Sequence, residues 1–246
     1  MTARPALARR ALGEFLGTGL LVTVVVGSGI AAQRLSADTG LRLLENSIAT
    51  AFGLAVLILL LGPVSGAHFN PVVSLMDAVL GRRDHTGLPG RDLAVYMAVQ
   101  VLGAIAGAVL ANAMFSVPTV ISATQRATPG TLLGEVVATA GLVLLIAGLS
   151  RACATLPQIA AAVGAYIGSA YWFTSSTSFA NPAVTIGRIF TDTFAGIAPA
   201  SVLPYLAAQL VGAAIGIALT LLLFPTTSTT TVPAVALVPS DMEEAS

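Results

Sequence analysis

The chain of 246 residues is 56% hydrophobic and only 9% charged, with 11 basic and 11 acidic residues and no net charge. A soluble domain carries roughly 25% charged residues, so composition excludes an ordinary soluble globule, and zero net charge gives no electrostatic case for a nucleic-acid partner. Cys153 has no second cysteine to pair with, which excludes an internal disulfide and a cysteine-based metal cluster.

The opening "MTARPALARRALGEFLGTGLL" is basic and then apolar, the outline of a secretory leader. Its apolar run continues for about 20 residues, long enough to span a bilayer, and encloses Glu14, so it reads as a retained first span. Spans are predicted near 11–32, 45–63, 92–115, 132–150, 157–175 and 201–224. Two shorter apolar segments, near 70–80 and 181–191, cannot cross and read as re-entrant half-helices. The predicted fold is an all-α membrane protein with six transmembrane helices plus two re-entrant half-helices. It has an N-terminal arm over 1–10, a membrane unit over 11–225 and a polar, disordered tail over 226–246. Six spans put Arg4, Arg9, Arg10, Arg82, Arg83, Arg91 and Arg151 on one side and leave Arg34, Arg42, Arg126 and Arg188 for the other. The positive-inside rule then places both termini in the cytoplasm, in a bacterial-type inner membrane.

The two halves, about 11–115 and 132–225, repeat one another. "GEFLGTGLLVTVVVG" from Gly13 matches "GEVVATAGLVLLIAG" from Gly134, "FNPVV" matches "ANPAV", and "YMAVQVLGAIAG" matches "YLAAQLVGAAIG". The offsets are 121, 111 and 109 residues. Each half has three spans, an odd number, so the second enters the membrane inverted. Inverted 3+3 repeats place a solute pathway at their interface and line it with broken helices.

Asn is a favoured N-cap and Pro a favoured first helical residue. Asn70-Pro71-Val72 and Asn181-Pro182-Ala183 therefore read as helix starts that meet at mid-membrane from opposite sides. Each brings the positive end of a helix dipole and a side-chain amide donor. Such a place disfavours cations and suits a neutral solute that accepts hydrogen bonds. The preceding Gly66, Ala67 and His68, and Ser175, Ser176 and Thr177, are expected to be extended and to line the pore with backbone carbonyls.

"SGAHFNP", "NPAV", the paired Gly-Glu and the paired Gln resemble the aquaporin/aquaglyceroporin (major intrinsic protein) family over about residues 10–225. The resemblance implies a homotetramer in the lipid bilayer, one pore per subunit, passing water or small neutral solutes without a cofactor or metal. It also implies that Glu14 and Glu135 are buried and hold the motif loops. By the same resemblance the filter residues fall on Thr50, Ser169, Ser178 and Val184, with Phe52 the alternative to Thr50. The family's filter Arg is replaced by Val184, and Ser169 stands where water-selective members often have His. Losing Arg removes donors, bulk and a fixed charge, so the expected pore is wide and its barrier to cations falls more heavily on the motif dipoles. Val at this place is similar to the bacterial aquaglyceroporin branch linked to arsenic resistance. That implies glycerol, urea, arsenite, methylarsenite or antimonite as solutes.

Gln100 and Gln209 read as interhelical hydrogen-bond glue. Arg188, one turn past Val184, is expected at the outer mouth or in a contact, with partial restoration of the filter charge as the alternative, Tyr171 and Trp172 at the interface or in pore-mouth packing, and Cys153 and His85 without a role. An enzyme is not indicated: the sequence shows no His/Asp/Ser constellation, metal-ligand cluster or phosphate loop. The competing transport readings are a proton-coupled transporter using Glu14 or Glu135, and a formate/nitrite-type channel, which the paired half-helices argue against.

Overall fold

A computed structural model describes residues 5–82 and 85–224. The expected tail over 226–246, and Arg4 and Arg83 of the charge argument, lie outside the described residues. The helices are α1 (Leu7–Leu35), α2 (Thr39–Ser65), α3 (Pro71–Leu80), α4 (Gly90–Met114), α5 (Pro129–Arg151), α6 (Leu156–Phe173), α7 (Pro182–Gly187) and α8 (Pro199–Leu223). A 3-10 turn over Arg188–Phe190 prolongs α7. No strand occurs among the described residues.

Five helices, α1, α2, α4, α5 and α8, are long and apolar enough to cross a membrane. The sixth expected span, α6, has 18 residues, which rise about 27 Å at 1.5 Å each. Pro157, Gln158 and Ser169 dilute its apolar character, so composition alone does not mark it. Packing does, because α6 lies against both α2 and α5.

Local chemistry sets the helix starts. Asp38 Oδ1 accepts the Leu41 N–H at 2.7 Å to cap α2. Thr128 and Thr131 form a capping box at α5, with the Thr131 N–H 3.2 Å from Thr128 Oγ1. Proline occupies the first turn of α3, α5, α6, α7 and α8, where a missing N–H costs nothing.

The repeat found in the sequence is a repeat in packing. Helix α1 lies against α2 and α4, α5 against α6 and α8, and α2–α6 contacts join the halves. The closest crossings match as well. A Cβ added at Gly107 would stand 2.0 Å from the Gly19 carbonyl oxygen, and one at Gly216 would stand 2.6 Å from that of Ala140. Only glycine lets α4 approach α1, and α8 approach α5, this closely. Those crossings bring the buried glutamates of α1 and α5 within reach of the segments that precede α3 and α7.

Candidate functional site

The site is built on α3 and α7, whose starts are fixed from three directions. Asn70 Oδ1 accepts the Val72 N–H at 3.1 Å, and Asn181 Oδ1 accepts those of Ala183 and Val184 at 3.0 and 3.2 Å. These are the N-caps that Asn-Pro foretells. Glu14 accepts the N–H groups of His68 and Phe69 at 3.0 and 2.7 Å, and the Gln100 amide at 2.8 Å. Glu135 repeats the pattern with Phe179 at 2.8 Å, Ala180 at 2.9 Å and Gln209 at 2.7 Å. Gln100 and Gln209 also reach Ser74 and Thr185, each four residues past its motif Asn, at 3.0 and 2.9 Å. Both glutamates are fully buried and neither lines the cavity described below.

These clamps hold strained backbone. Gly66, Ala67 and Phe69 have φ of 92°, 52° and 50°, and their repeat mates Thr177, Ser178 and Ala180 have 60°, 48° and 46°. A non-glycine residue held there costs about 1–3 kcal/mol, which charge-assisted bonds to a buried carboxylate offset. Among the described residues the carbonyls of Gly66, Ala67, His68, Thr177, Ser178 and Phe179 accept no hydrogen bond. All but that of Thr177 belong to residues that line the cavity described below and are available to a passing molecule.

The two halves are tied across the waist. Asn70 Nδ2 donates to the Ala180 carbonyl at 2.8 Å, and Asn181 Nδ2 donates to the Phe69 carbonyl at 2.8 Å. Each motif asparagine thus holds the residue preceding the other.

A cavity of about 290 Å³ runs past this waist, with Asn70 and Asn181 in its wall. Its lining follows helical periodicity. Thr50, Leu54 and Ile58 of α2, Leu142, Ile146 and Ser150 of α5, and Ile159, Val163, Ile167 and Tyr171 of α6 recur every four residues. Leu21 and Val25 of α1 are the repeat mates of Leu142 and Ile146.

Of the filter residues expected from the sequence, Thr50, Ser178 and Val184 line the cavity and Ser169 does not. Ser169 is exposed, and its hydroxyl donates to the Ala165 carbonyl of its own helix at 2.8 Å. Two residues from Ile167 and from Tyr171, it points to the opposite side of α6. Tyr171 takes the lumen instead, its hydroxyl 3.1 Å from Thr50 Oγ1. Phe52 is excluded in the same way, being 71% exposed on the outer face of α2. Gly66, Ala67 and His68 line the cavity as expected of them, whereas in the second half the lining backbone is Ser178, Phe179 and Ala180. Ser175, Ser176 and Thr177 stand behind it, Ser175 donating to the Gly130 carbonyl at 2.9 Å. Pro71, Val72, Pro182 and Ala183 are buried outside the lining and build the helix starts. Trp172 is half exposed and bonds Ser47 Oγ at 3.1 Å.

Two charged residues share the lining, and one of them, Asp77, was not singled out from the sequence. Asp77 lies toward the α3–α4 loop, where it accepts the Leu88 N–H at 2.8 Å. Arg188, expected at a mouth or in a contact, is 3% exposed and lines the cavity beside Val184. Both follow from one rule: each is four residues past a valine that faces the lumen, Val73 or Val184. Arg126, in the loop before α5, donates to the Gly196 and Phe194 carbonyls at 2.6 and 2.7 Å. Desolvation there pulls its pKa down from the ordinary arginine value.

Comparison with known proteins converges on one family. Residues 1–153 match the Major intrinsic protein family. The chain is 50% identical over 215 residues to Aquaglyceroporin AqpS of Rhizobium meliloti (strain 1021), covering 87% of this chain and 89% of that relative. It is 35% identical over 221 residues to Aquaporin Z of Brucella melitensis, covering 82% and 92%. Among solved structures, the aquaglyceroporin from Plasmodium falciparum superposes with a TM-score of 0.71 at 17% identity, covering 90% of this chain and 97% of that one. That last likeness speaks for the fold alone.

Proposed function

The chain belongs to the major intrinsic protein family, whose members are channels and not enzymes, and from that premise we propose that its cavity is a passive pathway for water, glycerol and other small neutral solutes. The observation that carries the reading is the reciprocal tie at the waist. Two helix starts face one cavity, each capped by an Asn whose amide is held by the opposite half. A neutral solute finds the free carbonyls as acceptors and the asparagine amides as donors. A cation meets two positive dipole ends.

The filter lies on the far side, where Thr50, Tyr171, Ser178 and Val184 share the lining. Val184 offers a short apolar wall in place of a long donor, so the opening suits solutes with both hydroxyl and carbon surfaces, glycerol foremost. Urea and the neutral hydroxides arsenite, methylarsenite and antimonite present comparable donors and acceptors and belong to the same class of permeants. The arginine distribution supports cytoplasmic termini, and the family relationship supports a homotetramer.

Proteoliposomes assayed by stopped-flow light scattering against water, glycerol and urea test this directly. Glycerol permeability well above that of empty vesicles is expected. Vesicles passing water but excluding glycerol would overturn the wide filter. Vesicles passing neither would overturn the channel.

A further inference from the structure

The filter has lost an arginine directly after the second Asn-Pro-Ala, yet a guanidinium still stands in the lining. Arg188 is buried, and its nearest fixed partners are not acids. Its Nε donates to the Ala195 carbonyl, and its guanidinium carbon lies 3.5 Å from the Phe179 ring centroid. Among the described residues the ion pair is Arg10–Asp92, at the start of α1 and far from this place. The two terminal nitrogens of Arg188 meet no acceptor among the described residues and remain open to the cavity. A buried charge so placed must be solvated by whatever occupies the lumen. Ser178 shares this wall, but its unpartnered hydroxyl is closed off from the lumen, so the residue offers its backbone carbonyl.

We propose that Arg188 is the specificity-determining cation of this pore, set back one helical turn so that the filter keeps its charge while the lumen beside Val184 stays wide. The stack on Phe179 and the bond to Ala195 hold the guanidinium against the wall. From there its free N–H groups donate to successive oxygens of a polyol and the Ser178 carbonyl accepts from its hydroxyls, while the carbon face lies along Val184. The same charge repels cations before they reach the waist. Charge and constriction, which one side chain would supply together, are divided between two residues. Barrier to ions and passage of bulky neutral solutes then cease to compete.

The inference rests on the cavity being the solute pathway, and the test separates the two ideas. Wild type, Arg188→Met and Arg188→Gln are reconstituted and assayed for glycerol permeability, for sodium leak and for proton leak with an entrapped pH-sensitive dye. Wild type should pass glycerol and hold both cations. Removing the charge should raise cation leak by roughly tenfold or more and lower glycerol permeability relative to water. Arg188→Gln keeps a planar donor group, so it provides the comparison should the methionine variant fail to fold. Moving the charge, Val184→Arg with Arg188→Met, should restore tightness to cations and cut glycerol flux. A neutral variant that passes glycerol and stays as tight as wild type would overturn the role of Arg188 alone. Wild-type protein that passes no glycerol would overturn the pathway itself.

Discussion

At the scale of single residues, Val184 carries the sharpest expectation. Its side chain is 5% exposed in the lining, beside a buried arginine. Val184→Arg would put a second guanidinium one turn from the first and fill the lumen. Glycerol permeability should fall by roughly tenfold, equal to about 1.4 kcal/mol at the barrier, and water permeability by less; stopped-flow scattering measures both. Equal glycerol flux in a folded variant would remove Val184 from the filter. Thr50, Ser178 and Val184, positions carried over from the family resemblance with Phe52 as the alternative to Thr50, do line the cavity. Ser169 was misplaced for a physical reason. Counting back from Asn181 crosses a loop of unknown path, whereas the stripe Ile159, Val163, Ile167, Tyr171 follows the helix itself and leads to Tyr171. The same four-residue step from Val184 gives Arg188.

Helices and loops show where the strain is carried. The loops before α3 and α7 depend on one carboxylate each, so Glu14→Gln or Glu135→Gln weakens two backbone bonds and one side-chain bond at once. A hydrogen bond to a charged group contributes about 1.5–3 kcal/mol. Either variant should lower the thermal midpoint in detergent and reduce glycerol flux; a variant with unchanged melting and flux would refute the clamp. Gly107→Val and Gly216→Val act on the crossings instead. They should yield protein that elutes as aggregate in size-exclusion chromatography, because the approach to Gly19 and Ala140 leaves no room for a side chain. The order of spans and half-helices was legible from apolar runs and the Asn-Pro pairs. The end of the second half-helix was not. The expected segment over 181–191 is a six-residue helix followed by a 3-10 turn, because Arg188 Nε binds the Ala195 carbonyl of the connection to α8 and the chain turns to meet it.

As a whole molecule, the protein is two inverted halves around one cavity. A passive pathway requires that flux follow the gradient. Glycerol uptake into proteoliposomes should equilibrate, show a low activation energy and ignore an imposed proton gradient. Accumulation above equilibrium would instead point to Glu14 or Glu135 as a proton carrier. The glutamates are spent on backbone N–H groups and stand outside the lining, which favours the first outcome. The symmetry was legible in sequence because the matched residues are the ones whose geometry tolerates no substitute: a buried carboxylate, an N-cap, a close glycine. The asymmetry was legible only in part: Arg188, in the turn after α7, was named from the sequence, and Asp77 of α3 was not.

The tie between Asn70 and Asn181 also has a history. During synthesis the Phe69 carbonyl and the Asn70 amide emerge 111 residues before Asn181. At 5–20 residues per second that interval is on the order of ten seconds. Through it, this polar seam lacks the partners that close it in the finished fold. Water or the insertion machinery must shelter that seam, and the arrival of the second half is what seals it. Assembly order is therefore written into the waist: the last asparagine made completes the first.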